Sequence, residues 1–406
     1  SKRKGYRVEN QIVNQIKDAS NGTEDGRMSF NIITAGADRS FINMTHDSTQ
    51  AEVVINEESI DLDFRVESNG NANMLHIDGG NNGVGIGTTG TSSAALTISA
   101  SGNASIVTTT AGTSNFIAGV NAGNSIASGG NYNTVIGDEA GTALTSGDNN
   151  TAIGFEALST EDANGNNTAI GYRALKTLDA GADGNNTAIG VDAGLSLTTG
   201  TGHTLVGGNA GDALTAGNDN VAIGKDALSS DTMGSGNVAI GIVALQDQNF
   251  TTATNAYNVA IGRSAGRNIT TGTLNTLIGG LAGDAITTGN SNVAVGYEAL
   301  SADTLGDRNV AIGLQALLTQ NFTTSTDSYN TAVGYAAGLA VTTGVKNTLI
   351  GGLAGDALTT NGLNVVVGYG ALSTEDTGSR NVAIGVSALS TQNADTTNYN
   401  VAVGYN

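Results

Sequence analysis

The sequence predicts an all-β chain: a parallel β-solenoid, or β-roll, of 17-residue coils, preceded by a small all-β region and a short N-terminal helix. Three observations carry that reading. Near-copies of Asn150-Thr151-Ala152-Ile153-Gly154 return from Gly119 to the last residues at a usual step of 17. Such self-similarity marks a stack in which each unit buries its apolar face on its neighbours. The 59 glycines come with no proline, which fits β structure turned by Gly, Asn and Asp and fits neither collagen nor a disordered linker. Aromatic residues make up only 4% of the chain against 39% hydrophobic, a composition suited to a thin stacked core rather than a round one.

Residues 1–22 form the first segment. Between Tyr6 and Ala19, Val8, Ile12, Val13 and Ile16 stand at the spacing of one helix face, so a short attachment helix is expected, too marginal to stand without a partner. Asn21-Gly22 and Asp25-Gly26 read as turns. Residues 23–118 then change to short β-prone runs: Met28–Thr34, Ser40–Met44, Glu52–Ile55, Leu62–Glu67, Met74–Ile77, Val84–Ile86, Ala95–Ile98 and Ser105–Thr110. Alternation in Asp63-Phe64-Arg65-Val66-Glu67 would turn Phe64 and Val66 inward.

The array occupies residues 119–406. Counted from the glycine that closes each copy, from Thr134 onward Ile or Val stands one before it, Ala, Leu or Val two before, and Thr or Val three before. A run of this kind ending at Gly is a short strand. Three after the glycine is Ala in every complete unit, from Ala122 to Ala388. Four before stands Asn: Asn133, Asn150, Asn167, Asn186, Asn220, Asn237, Asn258, Asn275, Asn292, Asn309, Asn330, Asn347, Asn364, Asn381 and Asn400, with His203 taking the place once. These are expected to stack as a ladder, each side chain bonding to its copy one coil away and tolerating a positive-φ turn.

Four residues after the glycine the units divide into a Gly kind, such as Gly194 and Gly211, and a Leu kind, such as Leu228 and Leu245. The order Gly, Gly, Leu, Leu runs four times, making super-repeats of about 72 residues, the last incomplete. In the Gly kind the apolar residue reappears three positions later, as in Leu197 and Leu214. The strand is apolar or near-neutral on both faces, so one face fills the coil and the other packs on neighbouring subunits, which implies a homo-oligomer. After the second Leu unit the step is enlarged to 19, 21, 21 and 19 residues, placing four loops on one side every fourth coil. Insertions of this sort often form the binding face, and aromatic residues are the usual anchors there. The candidate contact residues are therefore Phe250, Tyr257, Phe322, Tyr329 and Tyr399; the alternative is that Phe250 and Phe322 fold back to cover the coil. The final Asn400-Val401-Ala402-Val403-Gly404-Tyr405-Asn406 opens a further unit without a polar cap, from which a natural continuation to a tip or chaperone domain is expected.

Residues 73–89, Asn73-Met74-Leu75-His76-Ile77-Asp78-Gly79-Gly80-Asn81-Asn82-Gly83-Val84-Gly85-Ile86-Gly87-Thr88-Thr89, resemble segments of bacteriophage tail-fibre proteins, especially marine ones, and Val54–Glu57 and Asp63–Ser68 fit the same resemblance. Asn237-Val238-Ala239-Ile240-Gly241 is similar to the Asn-Ser-Val-Ala-Ile-Gly repeats in the heads of trimeric autotransporter adhesins, whose repeats are a few residues shorter. The resemblance implies a left-handed β-roll in a homotrimer. It implies a virion tail fibre, joined at its N-terminus to other tail proteins, that projects and recognises a host-surface glycan or protein. The alternative is a bacterial cell-surface adhesin or extracellular filament.

Charge and residue chemistry bound the other classes. The net charge of −20 divides into −5 for residues 1–118 and −15 for the array, which would repel nucleic acid and anionic membrane. No run of about 18 apolar residues suggests a bilayer span, and Ser1-Lys2-Arg3-Lys4 leads into polar sequence rather than an apolar signal core. The absence of cysteine excludes disulfides, thiolate zinc sites and a Cys nucleophile. His46, His76 and His203 are far apart, and His203 reads as a substitute in the Asn ladder. The acidic loop 179–185 could offer calcium oxygen ligands, but its spacing matches no EF-hand and it reads as a solvated turn. Glu161/Asp162 and Glu375/Asp376 are adjacent rather than opposed carboxylates, and no Trp is present to stack a sugar, so polysaccharide depolymerase is the weaker alternative. The expectation is a structural, non-enzymatic protein without cofactor or metal.

Overall fold

The computed structural model describes residues 112–394 and 397–405 in full and, before them, the backbone of nine strands between Asn10 and Val107. The chain divides into two compact units, Ser1–Val107 and Thr108–Asn406. In the first, β1 (Asn10–Asp18), β2 (Asp25–Thr34), β3 (Ala37–His46) and β4 (Ala51–Ile55) form an antiparallel sheet in chain order. A second sheet joins β5 (Phe64–Ser68), β6 (Asn71–Asp78), β7 (Gly83–Ile86) and β8 (Thr97–Ile98), the last pair parallel. A short β9 follows at Ile106–Val107. Every β-prone run expected between Met28 and Thr110 coincides with or overlaps one of these strands.

Two expectations for the N-terminal segment need correction. The helix expected over 6–19 is replaced at its described residues by β1, which pairs with β2 from Asn10↔Ile32 to Asp18↔Asp25. A spacing of four fits a strand's period of two as well as a helix's 3.6, and the β-branched Ile12, Val13 and Ile16 favour the strand once a partner exists. Asp25-Gly26 begins β2 instead of turning, while Asn21-Gly22 lies outside the described residues.

The second unit is an all-β parallel solenoid. Each of the seventeen strands of its main ladder, from Phe116–Ala118 to Val401–Val403, is three residues long and ends at the repeat glycine. Thr134, Thr151, Thr168 and Thr187 pair in unbroken register, and the same holds through Val382↔Val401. Turns, not helices, fill the rest of each coil, including residues 157–161. At the usual strand spacing the stack is about 80 Å long.

The repeat glycine stands where no side chain fits. Gly137 has φ +128°, and a Cβ there would lie 2.6 Å from the Gly154 carbonyl oxygen. The middle strand residue faces inward and is fully buried in coil after coil, as at Ala152, Leu205 and Ala294, while its two neighbours are half-buried or exposed. Inward with it come the invariant Ala and either the Leu four after the glycine or the apolar residue seven after it.

Core volume explains why the two unit kinds come in pairs. In the second Gly coil of a super-repeat the middle strand residue is large, Leu277 for example. One of its methyls lies 2.7 Å from where a Cβ of Gly266 would sit, and the other 2.8 Å from that of Gly283. One leucine thus fills the space vacated on two successive coils, and Leu205 and Leu349 repeat the arrangement with Gly194/Gly211 and Gly338/Gly355. In the Leu coils the middle residue shrinks to Ala239, Ala294 or Ala311, and Leu245, Leu300 and Leu317 occupy the room. These leucines adopt φ of 49–53°, a strained backbone for a bulky residue that the filled core offsets. Leu277→Ala should open a cavity shared by two coils and cost about 2–5 kcal/mol, read as a fall in the unfolding midpoint in urea.

Candidate contact surface

The Asn ladder is built from side chain to backbone. Asn133 Oδ1 accepts the Asn150 N–H at 2.8 Å, and Asn133 Nδ2 donates to the Gly147 carbonyl at 2.8 Å. Direct side-chain bonds between successive rungs are fewer, as in Asn237 Nδ2 to Asn220 Oδ1 at 3.1 Å. The positive φ falls on the residue before each rung, +59° at Asn149 and +49° at Tyr257, rather than on the rung itself as expected. His203 takes the ladder place in full: its N–H donates to Asn186 Oδ1, its Nδ1 accepts the Asn220 N–H at 3.3 Å, and its Nε2 meets the Gly217 carbonyl at 2.7 Å. That pairing requires the neutral ring protonated on Nε2, and burial lowers the ring's pKa accordingly.

The enlarged loops are tied down by buried acids, of which Asp231 and Asp303 were not singled out from the sequence. Asp231 is fully buried; its Oδ1 accepts the N–H groups of Gly234 at 3.1 Å and Phe250 at 3.0 Å, and its Oδ2 accepts Gln248 Nε2 at 2.6 Å. Gln248 Oε1 in turn accepts Nδ2 of the ladder residue Asn258. Asp303, Gln320, Phe322 and Asn330 repeat the arrangement. Glu375 holds the Ala394 N–H and Gln392, and Glu161 holds Asn164 and the Ala180 N–H. Burial pushes the carboxyls of Asp231, Asp303 and Glu161 up from the ordinary range. The signal available in the sequence was the recurrence of an acid seven after the glycine, at positions 161, 231, 303 and 375.

Anchored in this way, the 21-residue steps fold back on the coil. Thr254–Asn255 pairs in parallel with Gly234–Ser235, and Thr326–Asp327 with Gly306–Asp307. Phe250 and Phe322 are buried beneath their loops at 6% and 5% exposure, so neither is offered to a partner. Tyr257, Tyr329 and Tyr399 stand exposed at left-handed corners of the coil. Arg308 lies over the Tyr329 ring and pairs with Asp327, while Arg380 lies over the Tyr399 ring and donates to its hydroxyl at 2.6 Å.

On the outer face of the strand ladder the row before the repeat glycine is Ile or Val from Ile136 to Val403. The residue before the repeat glycine is exposed at Ile189, Ile223, Ile278 and Ile350, and the residue after it at Phe155, Tyr172, Tyr297, Tyr335 and Tyr369. Phe155 and Tyr172 stack at 5.5 Å between ring centres, with Arg173 over the second ring. The row after the glycine escaped the sequence reading because its identity varies, from Asp138 to Lys225 to Tyr369.

Among the described residues, Glu161, Asp162 and Asp179 bring carboxylate oxygens within 4.8 Å of one another. Glu161 already satisfies both oxygens within the fold. Asp212, Asp284 and Asp356 each bury one carboxylate oxygen without a hydrogen-bond partner among the described residues. No family model matches the sequence, and no curated protein or solved structure matches the chain.

Asp212 and His203 give opposite pH dependences. Burial, with Asp226 and Asp192 adding repulsion, raises the Asp212 carboxyl from 3.8 to about 6. A group raised on folding contributes stability below its unfolded pKa that is lost as pH rises through the folded value. Asp212→Asn should therefore raise the thermal midpoint at pH 7 and leave it unchanged at pH 3. His203 is lowered from 6.5, so its contribution is present above pH 6.5 and lost as pH falls. Circular dichroism melts of the parent should show stability falling as pH drops below 6.5, and His203→Asn should flatten that fall.

Proposed function

We propose that this chain is the shaft of a surface-projecting, homotrimeric fibre of the bacteriophage tail-fibre kind, whose outer loops and corners meet a host-surface glycan or protein. The observation that supports the reading best is the outward row of Ile and Val before the repeat glycine, half-buried or exposed in a single chain from Ile136 to Val403. An apolar row repeated on coil after coil over a stack of about 80 Å fits burial against further copies. Three is the number that the repeat resemblance implies. Stacked coils convert chain length directly into reach, and the loops fastened by Asp231 and Asp303 recur on one side of that reach. The adjacent acids Glu161 and Glu375 are committed to loop backbone, which favours a structural role over polysaccharide cleavage. A bacterial surface adhesin or filament uses the same physics and is the second reading.

Sedimentation analysis at micromolar concentration is expected to give three times the chain mass. Ile223→Lys, Ile278→Lys and Ile350→Lys together should reduce it to the monomer mass with the far-UV spectrum unchanged; a parent chain that is already a monomer at that concentration would refute the trimer. Antibody labelling in electron micrographs should mark the tails of phage particles from the source culture, and label confined to cell surfaces would decide for the adhesin.

A further inference from the structure

Charge is unevenly spread around the coil. Of the array's 8 cationic side chains, Lys225, Arg263, Arg308, Lys346 and Arg380 fall on the outer rows of the strand face and its preceding corner, against only Asp138 and Asp219 of its 23 acids. Lys225 is paired with Asp226 and Arg308 with Asp327, so the basic excess on this side of an acidic rod rests on Arg263, Lys346 and Arg380. The segregation is sharpest on the last coils, where the corner residue five before the repeat glycine reads Arg308, Tyr329, Lys346, Leu363, Arg380, Tyr399. All six are exposed. Each sits in the left-handed region, with φ between 48° and 65°, so the side chains stand out from a convex edge. Backbone bonds stack the corners in step: the Lys346 N–H donates to the Ser328 carbonyl at 2.7 Å, and that of Leu363 to Val345 at 3.0 Å.

The stripe therefore has a repeat. A cation recurs every second coil, about 10 Å apart at the strand spacing, and an aromatic or apolar residue stands between. We propose that this corner stripe binds a linear acidic polysaccharide whose carboxylate recurs on every second sugar, lying along the coil axis. A pair of sugars spans a distance of the order of two coils, so Arg308, Lys346 and Arg380 each meet one carboxylate while Tyr329, Leu363 and Tyr399 meet the apolar faces of the rings between. Nucleic acid fits less well. Its phosphates come about every 3.4 Å along a strand, so most would face the acidic array without a cation. Asp327, paired with Arg308, competes with the polymer for that guanidinium.

This inference gives the surface-contact reading above a ligand class, and it is tested on a different measurement from the fibre itself. Hyaluronan, neutral dextran and single-stranded DNA are titrated against the full chain at low and physiological salt, with sedimentation run in parallel to report the assembly. Hyaluronan should bind with an affinity that falls as salt rises, and dextran should not bind. Arg308→Gln, Lys346→Gln and Arg380→Gln together should weaken binding about tenfold or more, and Asp327→Asn should strengthen it. Lys346→Gln alone, at an exposed side chain with no ion pair among the described residues, should weaken it about threefold while leaving the melting curve unchanged. No binding of hyaluronan at low salt, equal binding of dextran, unchanged affinity in the triple variant, or tighter binding of DNA would each overturn the proposal. A monomeric mass with hyaluronan bound would instead reject the trimer and leave the stripe standing.

Discussion

Each coil of this solenoid must turn a sharp corner just before its strand, and the residue at that corner lies in the left-handed region. The turn takes the next N–H out of the backbone ladder, in a place too buried for water to serve it. A carboxamide on the preceding coil is the one short side chain that can accept that N–H and at the same time return a donor to a carbonyl of the coil that follows, as Asn133 does between Asn150 and Gly147. Leaving such a group unpaired costs more than a hydrogen bond ordinarily contributes, which explains why the position is Asn in every unit but one. The exception obeys the same rule. His203 supplies an acceptor nitrogen and an N–H at about the same separation, at the expense of being locked neutral.

With backbone spacing fixed by that ladder, the interior has little freedom. Strands of three residues leave room for one inward side chain, and the repeat glycine is held against the next coil's carbonyl. Volume must then be balanced between coils rather than within one. Leu277 serving both Gly266 and Gly283 is the clearest case, and it sets a period of four coils where backbone geometry alone would give a period of one. The same longer period places Asp231 and Asp303 beneath the enlarged loops, where each carboxylate accepts loop N–H groups that no strand partner reaches. Core packing and loop anchoring are therefore linked through the super-repeat.

Function, on this reading, belongs to what the coil leaves outside. The inner positions are spent on Ala, Leu and Asn, so variation is confined to the outward rows and corners. There the chain places exposed isoleucines and tyrosines suited to further copies of itself, and a stripe of cations and rings suited to an acidic glycan. Both surfaces repeat at the coil spacing, so contacts with a long partner would add along the axis.

The sequence by itself determined the period, the strand ending at each glycine, the stacked asparagines and the stand-in role of His203. Those residues answer to local backbone geometry repeated in every coil, and a requirement imposed that often is visible as a pattern. It also offered both fates for Phe250 and Phe322, on the surface or folded back over the coil. Only the tertiary structure decided between them, because an Asp231 or Asp303 nineteen residues earlier captures the loop backbone and draws the ring inward. The inner face of the strand was likewise undecided while Thr, Ala and Ile were all tolerable on either side; burial of Ala152 and its equivalents shows which one the coil closes on. At the N-terminus, Val8, Ile12 and Ile16 satisfy helix and strand periods equally, and the choice of β1 came from a partner strand, β2, that no local spacing can announce.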